Sequence, residues 1–405
     1  MSEITEQYDA YPYPERDPED ERRRLVTGSP SDLLEIEHFL FAGRRDWSRP
    51  FRVLVAGGGT GDGLVQIAQQ LAWAGRSAEI TYLDLSSAAR EIAERRAGIR
   101  GLDGIRFETG DLREAARLGP FDYIDCCGVL HHLPAPQEGF DALAAALDPG
   151  GGIGLMVYAP HGRSGVYPLQ EAFRTLLAGL PPAERLARAR EILSRVPEGH
   201  PFRRNPHLVD HAASDAGFYD LLLHSCDRAF AIEELDAHLA RAGLGLVSPA
   251  RPALYDPARF LPEGVALPED LPPAARMGLA ERLSGTLKTH IVYAAPEARA
   301  GRAMARGSDS ALVPHLRGAA PGKLSAHVAA KGEIVAQGGG LRVAEPLPKA
   351  AAPLLARIDG RRSVAEITRG AGGDTLSALG HWARIDRALT GWGLLHYASP
   401  QEAAR

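Results

Sequence analysis

The sequence has little cysteine, no long apolar run and no excess of basic charge. These shortages argue against a disulfide framework, a membrane span and a general attraction for nucleic acid. Its cysteines are Cys126, Cys127 and Cys226, and two of them are adjacent, which argues against a disulfide framework and favours a reducing compartment such as the cytoplasm. No stretch reaches the roughly 18 apolar residues of a membrane span. The opening residues, MSEITEQYDAYPYP, lack the basic and apolar regions of a secretory signal. A net charge of −5 gives no global attraction for nucleic acid or an anionic membrane.

From residue 51 onward, short apolar runs alternate with amphipathic stretches. The runs cover 51–56, 79–84, 105–108, 121–126 and 153–158, and the stretches between them cover 64–74, 88–96, 112–118 and 137–147. Strands and helices that alternate at this spacing predict a parallel sheet with helices on both faces. The predicted fold class is therefore α/β.

Changes in this rhythm divide the chain into parts. We expect an N-terminal cap or flap at 1–50, an α/β core at 51–161, a helical insertion at 162–225 and the completion of the core at 226–296. An Ala/Arg/Gly-rich linker is expected at 297–310, because domain boundaries usually fall in such segments. Residues 311–405 combine small helices with a closing strand, which suggests a small α+β module similar to a winged helix.

The clearest local signal is VLVAGGGTGDG at 53–63, where an apolar strand runs into glycines ahead of a helix. Glycine allows a tight turn and a close approach of backbone to ligand. A dinucleotide fingerprint has glycine at its first, third and sixth positions, but Asp62 occupies the sixth. The spacing of Gly57, Gly59 and Gly61 is instead typical of methyltransferases. Taken alone, the glycines are also compatible with an ordinary tight turn.

Further motifs follow at the ends of the next strands. YLDLS places Asp84 and Leu85 after the second strand, where a carboxylate can accept hydrogen bonds from both hydroxyls of a ribose. TGDL places Asp111 and Leu112 after the third strand, where an adenine amino group could be bound. LDPGGGIGLMVY is a glycine turn into the fifth strand. The order and spacing of these motifs are much more specific than any one of them.

Residues 51–160 together with 244–294 resemble the class I S-adenosylmethionine-dependent methyltransferase family. The resemblance implies a Rossmann-like sheet of seven strands, with an antiparallel last strand for which TLKTHIVYAA is suited. It also implies S-adenosylmethionine as cofactor. Site roles are implied as well: the methionine part is lined by Gly57, Gly59 and Gly61, the ribose is held by Asp84 with Leu85, and the adenine by Asp111 with Leu112. The acidic residue usual at the end of the first strand is replaced by Val55-Ala56, so a contact to the cofactor's amino group is lost or supplied elsewhere.

Because a sulfonium methyl group is already activated, the enzyme must mainly align a nucleophile and remove its proton. The candidates for this chemistry are His131, Tyr158, His161 and His224. His131 could act as a base or could simply pack against the sheet. The loop after Tyr158 either faces the acceptor or is solvated. No metal site is expected, because no clear set of ligands is present.

The segment 8–14 contains three tyrosines and two prolines. Proline stiffens the backbone, and tyrosine combines a flat face with a polar tip. We expect a flap that closes over the cofactor, with Tyr11 or Tyr13 approaching the methyl donor. The alternative is a strap that only docks on the domain surface.

Two classes of function are compatible with these patterns. The first is methyl transfer to a nitrogen or oxygen of an unidentified acceptor, either a small molecule or a protein side chain. The second is a non-catalytic S-adenosylmethionine-binding regulator that acts through its C-terminal module. The helix predicted at 376–389 carries few basic residues, so a contact with protein, peptide or a second copy in a homodimer is favoured over DNA.

Overall fold

The computed structural model describes residues 8–370 and 374–400. Within this part of the chain, one sheet contains seven strands in the order β3-β2-β1-β4-β5-β7-β6. β7 runs antiparallel to both of its neighbours, while the other pairs are parallel. This confirms the predicted α/β sheet and its antiparallel strand. The strands are β1 Phe51–Ala56, β2 Ala78–Asp84, β3 Ile105–Thr109, β4 Phe121–Cys127, β5 Leu147–Tyr158, β6 Leu244–Pro249 and β7 Thr289–Pro296.

The side chains of β1 show how the sheet is buried on both faces. Val53 and Val55 join one apolar cluster, and Leu54 and Ala56 join another on the opposite face. Successive residues of a strand point to opposite faces, so a continuous apolar run marks a strand covered on both sides. The α-helices up to residue 145 are α1 Leu33–Leu40, α2 Asp62–Trp73, α3 Ser87–Ile99 and α4 Pro136–Ala145.

Polar caps fix where two of these helices begin. Asp32 accepts the amides of Leu34 and Glu35 at the start of α1, and Ser86 accepts that of Ala89 at the start of α3. The stretch predicted as a helix at 112–118 is a 3-10 helix, Leu112–Arg117. Across the described residues, no helix combines the length and apolar character that crossing a membrane requires.

The described residues of 162–225 are largely helical and carry an apolar core of their own. Phe173, Leu186 and Phe218 are among its buried members. Helices here and in the completion of the core are α5 Val166–Leu176, α6 Pro182–Arg195, α7 Pro201–Arg204, α8 Asp210–Ala213, α9 Asp215–Leu222, α10 Ile232–Arg241 and α11 Pro273–Ser284.

The expected linker at 297–310 is wrong over its first half. Glu297–Ala303 forms helix α12, which packs against β6 and β7. Arg299 of this helix donates hydrogen bonds to the carbonyls of Gly151 and Leu40. Alanine and arginine favour helix, and docking on the sheet stabilises this short segment in that form.

The C-terminal part contains two small antiparallel strand pairs and four helices among its described residues. The strands are β8 Val313–Leu316 with β11 Leu395–Ala398, and β9 Glu333–Gly338 with β10 Leu341–Pro346. The helices are α13 Pro321–Lys331, α14 Ala352–Leu355, α15 Val364–Arg369 and α16 Thr375–Gly391. The similarity to a winged helix stays a prediction.

This C-terminal part is docked on α1. The Tyr397 amide donates to His38 Nδ1 at 3.1 Å, and Arg317 pairs with the buried Glu35. Burial raises the pKa of Glu35, while Arg317 opposes that rise. The contact between the two parts therefore includes charge that is withdrawn from water.

Candidate active site

A cavity of about 480 Å³ lies at the carboxyl ends of β1, β2, β4 and β5. Open α/β sheets bind their ligands at this edge. Its wall runs from the glycine loop after β1, past Asp84 and Asp111, to Tyr158 and Asp220. The motifs at separate strand ends therefore meet around one space.

The backbone of the glycine loop lies directly against the cavity because its glycines carry no side chains. A Cβ at Gly57, where φ is 66°, would lie 2.4 Å from a side-chain carbon of Val129. Gly61, with φ of 99°, forms the N-terminal boundary of α2 but does not line the cavity. Gly58 and Gly63 line it instead. The role predicted for Gly61 is thus replaced by one in shaping the turn.

Asp84 connects the end of β2 to the glycine loop. Its carboxylate accepts the amides of Gly59 and Ser86, both at 2.8 Å. Burial raises the pKa of Asp84. Each carboxylate oxygen has a second lone pair, so the group can also accept from the hydroxyls of a ribose. Leu85 lines the cavity beside it.

Asp111 and Leu112 form the next part of the wall. Leu112 is buried, and Asp111 caps the following 3-10 helix by accepting the Arg113 amide at 2.9 Å. The Arg113 guanidinium also binds Asp111 at 2.6 Å and holds the pKa of that carboxyl below its usual value. An adenine amino group would share the carboxylate with this guanidinium.

Asp125 is a cavity residue that the motifs did not identify. It lies in β4 opposite Val55 of β1, the position where the acidic residue usual in the family is missing. Ser31 donates to it at 2.7 Å, and burial raises its pKa to about 6. The Tyr123 hydroxyl also donates to Asp125 Oδ2 at 3.5 Å. A buried carboxylate whose side-chain partners are hydroxyls is suited to the ammonium group of a methionine moiety. The apolar run around Asp125 gave no signal of this role.

The N-terminal strap, residues 8–16, crosses the glycine loop. Thr60 donates a hydrogen bond to the Pro14 carbonyl at 2.7 Å. Arg16 forms two hydrogen bonds with Asp62 at the start of α2, at 2.7 and 2.9 Å. The strap is therefore held at the entrance to the cofactor side of the cavity.

Asp62 also belongs to a buried network of ion pairs. Arg96 of α3 is 1% exposed and binds Glu21 at 2.6 Å and Asp62 at 2.8 Å. Although burial opposes it, the hydrogen bonds from Arg16 and the charge of Arg96 hold the pKa of Asp62 below its usual value. The polar N-terminal segment is thus part of the folded domain.

The strap tyrosines have different positions. Tyr13 lines the cavity, and its approach to the methyl donor stays a prediction. Tyr11 does not, because its ring stacks on Tyr219 of α9 with centroids 4.9 Å apart. Tyr8, which was not among the predicted site residues, lines the cavity and forms a 3.0 Å hydrogen bond with His224 Nε2.

The far end of the cavity is formed by β5, the loop after β4 and α9. Tyr158 donates its hydroxyl proton to Asp220 Oδ2 at 2.9 Å. His132 lines the cavity, and its Nδ1 lies 2.9 Å from the Cys226 carbonyl. A carbonyl can only accept, so His132 carries its proton on Nδ1 and presents the Nε2 lone pair.

His224 has the opposite tautomer. Its Nδ1 accepts the Cys226 amide at 3.1 Å, so Nε2 carries the proton and donates to Tyr8. The His224 ring stacks on His132 with centroids 3.7 Å apart and does not line the cavity. His224 thus contacts Tyr8 and His132 from outside the cavity wall, and its catalytic role stays a prediction.

Two other predicted catalytic residues lie away from the cavity. His131 is fully buried against the Tyr158 ring, and burial lowers its pKa well below the usual value. His161 is exposed on a 3-10 helix that follows β5. Neither lines the cavity. The short helix Leu130–His132 turns His132 rather than His131 to the cavity.

The fold and this site define a class I methyltransferase domain. Residues 54–153 match the family model described as a methyltransferase domain. S-adenosylmethionine is the methyl donor of such a domain, and the carboxylates and glycine loop of this cavity fit that molecule.

Comparisons with whole proteins give a relative by sequence and a solved protein of similar fold. The chain is 34% identical over 248 residues to an uncharacterized protein of Synechococcus sp., covering 58% of this chain and 57% of that protein. It therefore spans little more than half the length of that relative. The structure of PKMT2 from Rickettsia typhi has a TM-score of 0.63 at 12% identity, covering 91% of this chain and 75% of that one. PKMT2 in complex with AdoHcy gives 0.64 at 14% identity, covering 93% and 76%.

Proposed function

We propose that this chain is an S-adenosylmethionine-dependent methyltransferase that methylates a nitrogen or oxygen of an acceptor bound beneath the helical insertion. The observation that carries the proposal is the single cavity joining Asp84 at the donor end to Tyr158, Asp220 and His132 at the other. The AdoHcy in the Rickettsia complex supports the choice of donor.

Different residues of the cavity bind the cofactor and act on the acceptor. Asp84 accepts the ribose hydroxyls, and Asp125 faces the ammonium group of the methionine part. When bound, S-adenosylmethionine supplies an activated methyl group. The strap, held by Thr60 and Arg16, excludes water from the donor side, which strengthens the electrostatic contacts there. His132 Nε2 is the lone pair available at the acceptor end to take a proton.

Calorimetry and a transfer assay test this function. The full chain should bind S-adenosylmethionine and S-adenosylhomocysteine. In source-cell lysate it should transfer a labelled methyl group to a product whose size separates a protein acceptor from a small molecule. Binding without any release of S-adenosylhomocysteine would favour the regulatory alternative, and absence of binding would contradict the proposal.

A cytoplasmic location and a homodimer stay predictions beside this proposal. The cysteines are free, and Cys126 is buried in β4. Size measurement in solution and localisation of the tagged full chain test these two points.

A further inference from the structure

Asp220 of α9 is a buried carboxylate whose charge is not neutralised by a bonded cation. It is 4% exposed and lines the cavity. Its Oδ2 accepts from Tyr158, while Oδ1 has no hydrogen-bond partner among the described residues. Burial raises the pKa of Asp220. A buried carboxylate with an open oxygen is costly unless a ligand completes its contacts.

Besides Asp84 and Asp125 at the donor end, two carboxylates at the acceptor end of the cavity lack a cationic partner among the described residues. Asp62 and Asp111 bind arginines elsewhere on the wall. For Asp220 and the nearby Asp210, the described residues provide no ion pair within 4.0 Å, although both line the cavity. Tyr13 lies with them in the cavity wall, and an aromatic ring can attract a cation. This combination attracts a positively charged group and repels a carboxylate.

A ring nitrogen of His132, a ring nitrogen of His224 and a carboxylate oxygen of Asp220 lie within 4.8 Å of one another. Such a group could hold a metal ion only if both rings offered lone pairs. His224 uses Nδ1 to accept the Cys226 amide and Nε2 to donate to Tyr8, so it has none free. His132 Nε2 beside Asp220 is therefore better suited to receive a proton than to bind a metal.

We propose that the acceptor is a primary alkylamine, whose ammonium group is bound by Asp220 and loses a proton to His132 Nε2. This inference rests on the proposed methyltransferase function. The neutral amine then forms a bond from nitrogen to the methyl carbon. The bond from that carbon to sulfur breaks, and its electron pair stays on sulfur. The products are S-adenosylhomocysteine and a methylammonium, and the proton on His132 passes to water.

Three matched probes test the amine directly. They are Nα-acetyl-lysine methylamide and the same molecule with a hydroxyl or a methyl group in place of the amine. Each is titrated by calorimetry into the full chain saturated with S-adenosylhomocysteine. We expect the amine to bind at least tenfold more tightly than the other two. Equal affinity for all three, or preference for the hydroxyl, would overturn the inference.

Variants then locate the contact. Asp220→Asn should lower amine affinity at least tenfold and leave S-adenosylhomocysteine affinity within twofold. Asp215→Asn, an exposed change in the same helix, should change neither. If Asp220→Asn does not fold, Asp210→Asn serves instead, with a smaller loss expected. Unchanged amine affinity in a folded Asp220→Asn protein, or in Asp210→Asn where that variant replaces it, would overturn the inference.

Two binding measurements distinguish failure of the proposed function from failure of the inference about the amine. A wild-type chain that does not bind S-adenosylhomocysteine contradicts the proposed function and the inference together. A chain that binds it but not the amine contradicts the inference alone. Cadaverine and a lysine-containing peptide, titrated in parallel, distinguish a small-molecule amine from a protein side chain.

Discussion

Val55 and Asp125 are register partners in the adjacent parallel strands β1 and β4. The carboxylate missing at the end of β1 is thus present one strand away, on the wall of the same cavity. Strands in a sheet lie about 4.8 Å apart, so a carboxylate moved across one strand stays within reach of the same ligand group. This relationship leads to the first prediction.

Asp125→Asn should stabilise the cofactor-free protein at high pH. Burial raises the pKa of Asp125 to about 6, so the folded state keeps its proton to higher pH than the unfolded chain. Stability is therefore lost as pH rises from about 4 to about 6, by up to about 3 kcal/mol for a two-unit shift. Urea unfolding should show the variant more stable than wild type at pH 8 and equal to it near pH 4.

The same variant should bind S-adenosylmethionine about tenfold more weakly, because a charged hydrogen-bond partner is lost. The exposed change Asp103→Asn should alter neither property. A stability difference that is the same at both pH values would contradict the assignment of a buried charge at Asp125.

Asp84→Ala should weaken cofactor binding by roughly 1–3 kcal/mol, the range for hydrogen bonds to a charged group. Asp84 also holds the Gly59 amide, so part of the loss comes from a looser glycine loop. Asp84→Asn keeps an acceptor for that amide and should lose less. Calorimetry with unchanged affinity in the folded Asp84→Ala protein would disprove the ribose contact.

Tyr13 and Tyr11 provide a matched pair for the strap. Tyr13→Ala should weaken S-adenosylmethionine binding severalfold, because Tyr13 lines the cavity. Tyr11→Ala should instead lower the melting temperature at normal affinity, since the stack on Tyr219 contributes about 1 kcal/mol. Deleting residues 1–14 should combine both effects. Normal affinity in the Tyr13→Ala and deletion proteins would rule out a flap that acts on the cofactor.

Arg317→Met should destabilise the docked C-terminal part. The change leaves Glu35 buried without its cation. We expect the free energy of unfolding to fall by about 1–3 kcal/mol at pH 7. This is below the range for fully buried pairs because Arg317 is partly exposed. Burial raises the pKa of Glu35, so the loss should decrease as pH falls and the carboxyl becomes protonated. Arg361→Met, at an exposed position, is the control for chemical denaturation. A loss that does not depend on pH would contradict this role of Glu35.

Local pattern was sufficient to predict the sheet and to place the glycine loop and Asp84 at its edge. Apolar runs of strand length predicted the strands, and the glycines and Asp84 followed them at distances that fix their place at the sheet edge. These inferences succeed because each depends on residues close together in sequence. Gly61 and Tyr11 do not line the cavity. A glycine can shape a turn without contacting a ligand, and a tyrosine can stack on a neighbouring helix.

The sequence by itself determined the α/β fold, the methyltransferase class of the domain and the position of the glycine loop. Only the tertiary structure decided that Asp125 lies opposite the position of the missing acid, that His132 rather than His131 lines the cavity, and that Asp220 lies in its wall. Each depends on contacts between residues far apart in the chain, such as the pairing of β1 with β4 and the hydrogen bond from Tyr158 of β5 to Asp220 of α9. Asp220 lies 62 residues from Tyr158, and no local pattern connects them until the insertion folds back over the sheet edge.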